Sequence, residues 1–451
     1  MKTLKKLLLI ILAVLMILSP VECFAVYVSD GNVTSYSTPT SQDDTELLWS
    51  RQFGKSYKDA PSTMTVVDDT VIVMSKNTLY KLNAKNGKTV KQAEMADIPN
   101  FGYTSPTYAD GVIYCPLDNG TIQAFDYKTL KSLWIYKDKL GGQSLSPIVY
   151  SDGCIYTGFW NDEDAYANFV CIDVKDENTK LTDESKSAKW TYKSPGGFYW
   201  AGCTFSGDCV IVGTDDGTVY ANKNAKLLSL KKSNGKLIDF VSIIGDQRSG
   251  IVVSGGKAYF TTKAGYLYSV KISSGKFDAN SLKKLSLGGA STSTPVIYNG
   301  RIYVGVQGKS AKEGSVKVID ANKLSVIYSA PANGYPQNAV LVSDAYFKDT
   351  GKVYIYTTYN AHPGGITVYT DSANQTKAEK AELFTPDSDK ANYSVSSIVC
   401  DENGTLFYKN DSGYIFALGK KGQQENWFIR LINLIISFFN SIIAILSGAD
   451  V

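Results

Sequence analysis

The stretch YTSPTYADGVIYCPLDNGTIQAFDYKTLKSLWIYK, Tyr103 to Lys137, decides the fold. A small Thr-Ser-Pro entry leads into a short apolar strand, and Asp110-Gly111 turns the chain back. Val112 to Pro116 is a second strand, Asp118-Asn119-Gly120 a second turn, and Thr121 to Phe125 a third strand. A polar turn from Asp126 to Lys131 then leads to a fourth strand, Ser132 to Tyr136, which carries Trp134. Asp-Gly and Asn-Gly mark hairpins because glycine accepts the positive φ of a tight turn. Four strands joined this way form an antiparallel meander that cannot bury both faces alone, so it needs copies of itself.

The copies are present. The first turn recurs at Asp68-Asp69, Asp152-Gly153, Gly207-Asp208, Gly255-Gly256, Asn299-Gly300, Thr350-Gly351 and Asn403-Gly404. The interval is roughly 40 to 55 residues, the range of a propeller blade. The strand that follows keeps its character: VIVMS, VIYCP, CIYTG, CVIVG, AYFTT, RIYVG, VYIYT and TLFYK. The predicted blades run at 61–95, 103–139, 143–193, 199–240, 247–288, 291–331, 336–384 and 391–419. The last repeat, Ser394 to Leu418, lacks a fourth strand, while Leu47 to Phe53 is a strand without a meander and carries Trp49. The N-terminal strand is therefore expected to close the last blade, with Trp49 in the place of Trp134 and Trp190. Closure removes open sheet edges. The fold class is all-β: an eight-bladed propeller of four-stranded antiparallel blades over residues 45–420, followed by a C-terminal helix.

The pattern Gly120, Ala124, Asp126, Thr129 and Trp134 resembles the repeat of the pyrroloquinoline-quinone (PQQ) type β-propellers, with Leu130 where that family prefers glycine. The resemblance implies architecture and leaves function open, since the family holds quinone dehydrogenases, outer-membrane assembly scaffolds and other exported proteins. Its enzymes need a calcium with carboxylate and Asn ligands, and usually a vicinal Cys-Cys pair. No adjacent cysteines occur here and the chain is short for such enzymes. The expectation is no cofactor and no metal.

Lys2, Lys5 and Lys6 followed by an apolar run to Leu18 read as a signal peptide over residues 1–25, so the protein is expected outside the cell or in its envelope. Residues 26–44, rich in Ser, Thr and Asp, read as a loose leader. Beyond the signal lie Cys115, Cys154, Cys171, Cys203, Cys209 and Cys400. Export permits disulfides, yet most of these sit in apolar strands, where a buried thiol is ordinary. Cys203 and Cys209 flank a turn and are the pair that could face each other.

Residues 421–451 comprise a polar linker and an apolar helix. Arg430, Asn433, Ser437 and Asn440 fall on one helical stripe, and Trp427, Phe428, Leu431, Leu434, Ile435, Phe438, Phe439 and Ile442 make the opposite arc. Such a helix attaches the propeller by lying on a membrane or docking into a partner; spanning a bilayer and packing onto the propeller are the alternatives.

Charge excludes a nucleic-acid partner: 46 Lys and Arg oppose 43 Asp and Glu, a net +3. The single histidine, His362, lies in a loop, which disfavours a Ser-His-Asp triad or a His-rich zinc site. The acidic turn Asn161 to Asp164 lacks EF-hand spacing and reads as solvated. The segments entering the blades are aromatic: Phe101, Tyr103, Phe198, Tyr199, Trp200, Tyr335 and Tyr393. Gathered at one mouth of the channel, these rings would bind a protein or glycan partner; otherwise they pack between blades. The expected function is an exported, non-enzymatic binding or scaffolding module. The alternative is a carbohydrate-active enzyme with two carboxylates at the channel mouth.

Overall fold

The computed structural model describes residues 32–100, 102–218, 223–310 and 312–422. They form eight antiparallel sheets in sequence order around a central channel. In blade one the inner strand Thr65–Val67 is followed outward by Thr70–Ser75, Thr78–Asn83 and Thr89–Glu94. The hairpin turns work as their sequences require: Asp110 and Gly111 have φ of 49° and 75°, and Asn119 and Gly120 of 55° and 69°. Eight hydrophobic clusters lie one at each junction of neighbouring blades. Each sheet-to-sheet contact is thus a core of its own.

The ring closes as the orphan strand predicts. Thr45–Gln52 pairs antiparallel with Tyr414–Lys420, with Leu47 opposite Leu418 and Trp49 opposite Ala417. Trp49, Trp134 and Trp190 make the same reach into the next blade. Their indole Nε1 groups donate to the carbonyls of Ala84 (2.7 Å), Val174 (3.1 Å) and Lys232 (2.7 Å). Glycine is required beneath two of these rings: a Cβ on Gly87 would lie 2.7 Å from Trp49, and one on Gly235 2.5 Å from Trp190. Blade one has no tryptophan in its outer strand. Facing it from blade two, Leu130 takes the glycine's place despite a φ of 57°, and its side chain fills the blade one–two core.

One expectation is corrected and two are sharpened. Every blade has its four antiparallel strands, and blades two and seven each gain a fifth, parallel one. Glu184–Lys186, from the long turn of blade three, adds parallel to Ser132–Lys137, and Val33–Thr34 adds parallel to the inner strand Leu341–Ser343. Residues 32–44 are not a loose leader. Thr38 is fully buried, with its hydroxyl 3.0 Å from Ser343 Oγ and 2.8 Å from Tyr356 OH, and Tyr346 OH donates to its carbonyl at 2.6 Å. Thr38, one of the Ser and Thr side chains that suggested a solvated segment, finds its partners buried in blade seven, while Thr40 and Ser41 bond Asp44 within the segment. Cys203 and Cys209 do not pair, and both are free thiols. The register sets Ser206 opposite Cys209, so the two cysteines point to opposite sheet faces. Cys203 joins the blade three–four core and Cys209 the four–five core.

The segment read as a signal peptide, residue Phe101 and the segment from Trp427 to Ile442 expected as an attachment helix lie outside the described residues. Among the described residues no helix is long and apolar enough to cross a membrane.

Candidate functional site

The inner strands enclose a channel cavity of about 480 Å3. Thr65, Leu145, Thr292, Asn338 and Ile398 line its wall, and residues 32–36 run along it. The segments entering the blades bring Tyr103, Trp200 and Arg248 to its upper rim.

At that rim four blades contribute to one ladder of rings and cations. The Arg248 guanidinium lies 4.6 Å from the Tyr199 ring centroid. Tyr199 stacks on Trp200 at 4.9 Å and 25°. Trp200 meets the Tyr103 ring edge-on at 6.1 Å and 84°. Lys409 Nζ sits 5.1 Å from the other end, over Tyr103. Trp160 packs beside Tyr199 at 4.7 Å. A cation over a ring face is attracted by its quadrupole, more strongly once water is excluded. Burial pushes the Tyr103 hydroxyl up to about 12, with the Asp411 carboxylate adding to the shift.

The two cations differ in their company. Arg248 Nη2 lies 2.6 Å from Asp215, 2.7 Å from Glu163 and 3.3 Å from Asp246. Burial holds the Asp215 carboxyl well above the usual range against the pull of Arg248, and Asp246 is raised for the same reason. Burial alone would weaken the Arg248 charge, but the carboxylates, Asp215 foremost, more than restore it. Lys409 is fully buried and has one carboxylate, Asp411, at 3.7 Å, too long for a hydrogen bond. Neither Lys409 Nζ nor Asp411 Oδ1 has a hydrogen-bond partner among the described residues. Burial lowers the Lys409 amine and raises the Asp411 carboxyl.

The predicted aromatics divide. Tyr103, Tyr199 and Trp200 come together in the ladder. Tyr393, 46% exposed, stands on the rim, where its carbonyl accepts from Asp411 N at 2.8 Å. Phe198 is fully buried in the blade three–four core. Tyr335 is buried too, and its OH accepts from Thr292 N at 2.7 Å. In the acidic turn Asp162 and Asp164 are exposed as expected, but Glu163 turns inward to Arg248. Arg248, Lys409 and Asp411 were missed by sequence reasoning. Asp246-Gln247-Arg248, an acid and a base two residues apart in a blade entry, was the available signal.

The carboxylate oxygens of Glu163, Asp215 and Asp246 lie within 4.8 Å of one another, a spacing that could hold a metal ion. Here their counter-charge is the guanidinium. The quinone and calcium that the repeat resemblance brings to mind do not fit these residues: the carboxylates are clasped on Arg248, Trp200 lies against Tyr103 across the rim, and no vicinal cysteines exist.

Residues 29–159 match the family model described as outer membrane protein assembly factor BamB. Over that segment the chain is similar to this family, and over the rest its likeness to solved structures is one of β-propeller fold. BamB from Moraxella catarrhalis aligns at 11% identity with a TM-score of 0.57, over 83% of this chain and 99% of that one. Quinohemoprotein alcohol dehydrogenase from Comamonas testosteroni aligns at 13% and 0.63, over 86% and 79%. The computationally designed Ika8 protein aligns at 11% and 0.54, over 81% and 99%. No curated protein matches this chain significantly in sequence. An assembly factor, an oxidoreductase and a designed protein share its fold, so function must be argued from the site.

Proposed function

We propose that the protein is a non-catalytic binding or scaffolding module, exported to the cell envelope, whose partner docks on the face bearing the channel mouth. The observation that carries this reading is the Arg248–Tyr199–Trp200–Tyr103–Lys409 ladder. It brings three of the predicted aromatics, the half-buried Tyr103, Tyr199 and Trp200, together at the mouth between two buried cations, and rigid aromatics give large contact area at low entropy cost. The BamB match over residues 29–159 supports a protein partner rather than a small substrate. The apolar arc Trp427 to Ile442 then serves as a separate attachment to membrane or partner.

The carbohydrate-enzyme reading needs two carboxylates free to face a sugar. Those nearest the rim, Asp215 and Asp246, are buried and held by one arginine, which favours the binding reading. Site-specific photocrosslinking tests it. A crosslinking residue at Tyr393 or Leu140, on the mouth face, should capture a defined protein in the native envelope. The same group at Asp69, in a turn on the opposite face, should not. Equal capture from both faces, or none from the mouth, overturns the proposal.

A further inference from the structure

We infer that the channel cavity is a binding site for an extended chain segment, and that its occupant is this chain's own residues 26–31, Val-Tyr-Val-Ser-Asp-Gly, once the signal segment before them is removed. This rests on the reading of residues 1–25 as a cleaved signal and is independent of what docks at the mouth. Residues 26–31 lie outside the described residues, but the walls of the site do not. In seven blades the innermost strand ends its sheet, and only in blade seven is that edge taken, by Val33–Thr34 in parallel. An open strand edge presents backbone N–H and C=O groups, and another strand is what satisfies them. The channel thus already holds one short strand of this chain.

The pairing also fixes a direction. Leu341–Ser343 enters from the mouth side, and Thr38 is moored at its lower end, 3.0 Å from Ser343 Oγ. Read backwards from Thr38 to Asn32, a parallel neighbour climbs, so the chain before Asn32 heads into the cavity and towards the mouth. Asn32 is fixed on both sides: Val342 N donates to its carbonyl at 2.8 Å, and its Nδ2 donates to Ile398 O in blade eight at 3.0 Å. Val33 stands opposite Val342 and Thr34 opposite Ser343. The same register carried upward sets Asp30 opposite Ala339 and Ser29 opposite Asn338, and both Ala339 and Asn338 line the cavity. Val340 N would then donate to Asp30 O. Six extended residues span roughly 20 Å, Val26, Tyr27 and Val28 are strong strand formers, and the tether at Asn32 keeps the segment at high local concentration. The wall suits a strand better than a hydroxyl-rich small ligand, because its polar groups are committed between blades. Thr104 Oγ1 donates to Leu145 O at 3.1 Å, Thr292 Oγ1 to Gln337 O at 3.0 Å, and Thr294 Oγ1 accepts from Gly250 N at 2.7 Å.

The test starts from protein purified from its native envelope, whose intact mass should place the N-terminus at Val26. Asp30→Cys combined with Ala339→Cys should form a 30–339 disulfide on mild oxidation, found by peptide mass mapping, since opposite residues of paired strands lie within disulfide reach. Asp30→Cys with Asp69→Cys, in a turn on the face away from the mouth, should form none. Hydrogen exchange gives a readout without new cysteines: the Val340 amide should exchange about tenfold faster or more in a chain lacking residues 26–31 than in the mature protein. Absence of the 30–339 link, or equal exchange in the two chains, overturns the inference. Protection that persists after truncation means that another segment or a foreign peptide fills the channel. Intact mass separates the two failures. A chain that begins at Val26 and shows neither signature sinks this inference alone, whereas one that keeps residues 1–25 sinks the export reading and this inference with it.

Discussion

The junction of blades six and seven buries Arg301 against one aspartate, while the channel mouth gathers Arg248 among three carboxylates. At the junction the account closes. Asp371, fully buried, accepts from Arg301 Nη1 at 2.9 and 3.1 Å, from Tyr303 OH at 2.8 Å and from Tyr328 OH at 2.6 Å. Arg301 Nη2 donates to the carbonyls of Ala373 and Gln375. One charge meets one charge and every lone pair is used, which is the condition for tolerating a buried ion pair. At the mouth one guanidinium meets Glu163, Asp215 and Asp246, and negative charge is left over beside open solvent. The first arrangement joins two blades. The second sets a field at a surface, and a surplus of charge has value only if something outside uses it.

The sharpest way to break this contrast is Arg301→Met. It leaves Asp371 buried with only the two tyrosine hydroxyls, and should cost about 3–5 kcal/mol in chemical denaturation. A loss below 1 kcal/mol would show that the junction, like the mouth, is not a structural latch. An uncharged latch calibrates the scale. Trp134 is fully buried, whereas Trp49 is partly exposed on the closing strand. Trp134→Ala should therefore cost about 3–5 kcal/mol, and Trp49→Ala measurably less.

Arg248→Met should destabilise less than Arg301→Met, about 2 kcal/mol at neutral pH, because Glu163 and Asp246 retain access to water. Its loss should also depend on pH. The folded-state values of Asp215 and Asp246 are raised. For a raised carboxyl the cost of ionisation is absent below the ordinary value of about 4 and complete above the raised one. The unmodified protein should thus gain stability from these groups as pH falls towards 4. The variant, lacking the opposing guanidinium, should gain more, so the gap between them narrows. A gap that widens on acidification would mean the carboxylates are stabilised as anions, contrary to their burial.

The blades were legible because local chemistry fixes them. Asp110-Gly111 and Asn119-Gly120 can hardly be anything but tight turns, and an orphan strand at one end of the repeats with a missing strand at the other implies closure. Leu130 looked like a defect of the repeat, and is explained only by the missing tryptophan one blade earlier, a contact between blades. The mouth was half legible for the same reason. Aromatic entries stand out in a sequence, but the pairing of Glu163 with Arg248 joins residues 85 apart, and the ring geometry decides it. Residues 32–44 failed differently. A Ser- and Thr-rich segment reads as solvated unless one knows that Ser343 and Tyr356 wait for it.

The smallest expected effect lies at the other end of the ladder. Lys409 and Asp411 are a buried pair that is close in charge but not bonded, at 3.7 Å. Burial dominates both groups, lowering the amine and raising the carboxyl despite their mutual attraction. Replacing such a pair by uncharged groups of similar volume is commonly neutral or stabilising. The double variant Lys409→Met with Asp411→Asn should therefore be more stable than the unmodified protein by about 1 kcal/mol at neutral pH. The sign at each extreme follows from linkage. The lysine's cost is complete below its lowered value and gone above about 10.4; the aspartate's is absent below about 4 and complete above its raised value. Between the raised carboxyl value and the lowered amine value both are present, so the variant's advantage should peak in that window and shrink towards both acid and alkali. If the pair exists to hold Tyr103 in the ladder, the same variant should bind its partner more weakly while melting later. A variant that is less stable at neutral pH would show that the pair is a latch like Arg301 and Asp371, and the contrast between junction and mouth would fail at this end.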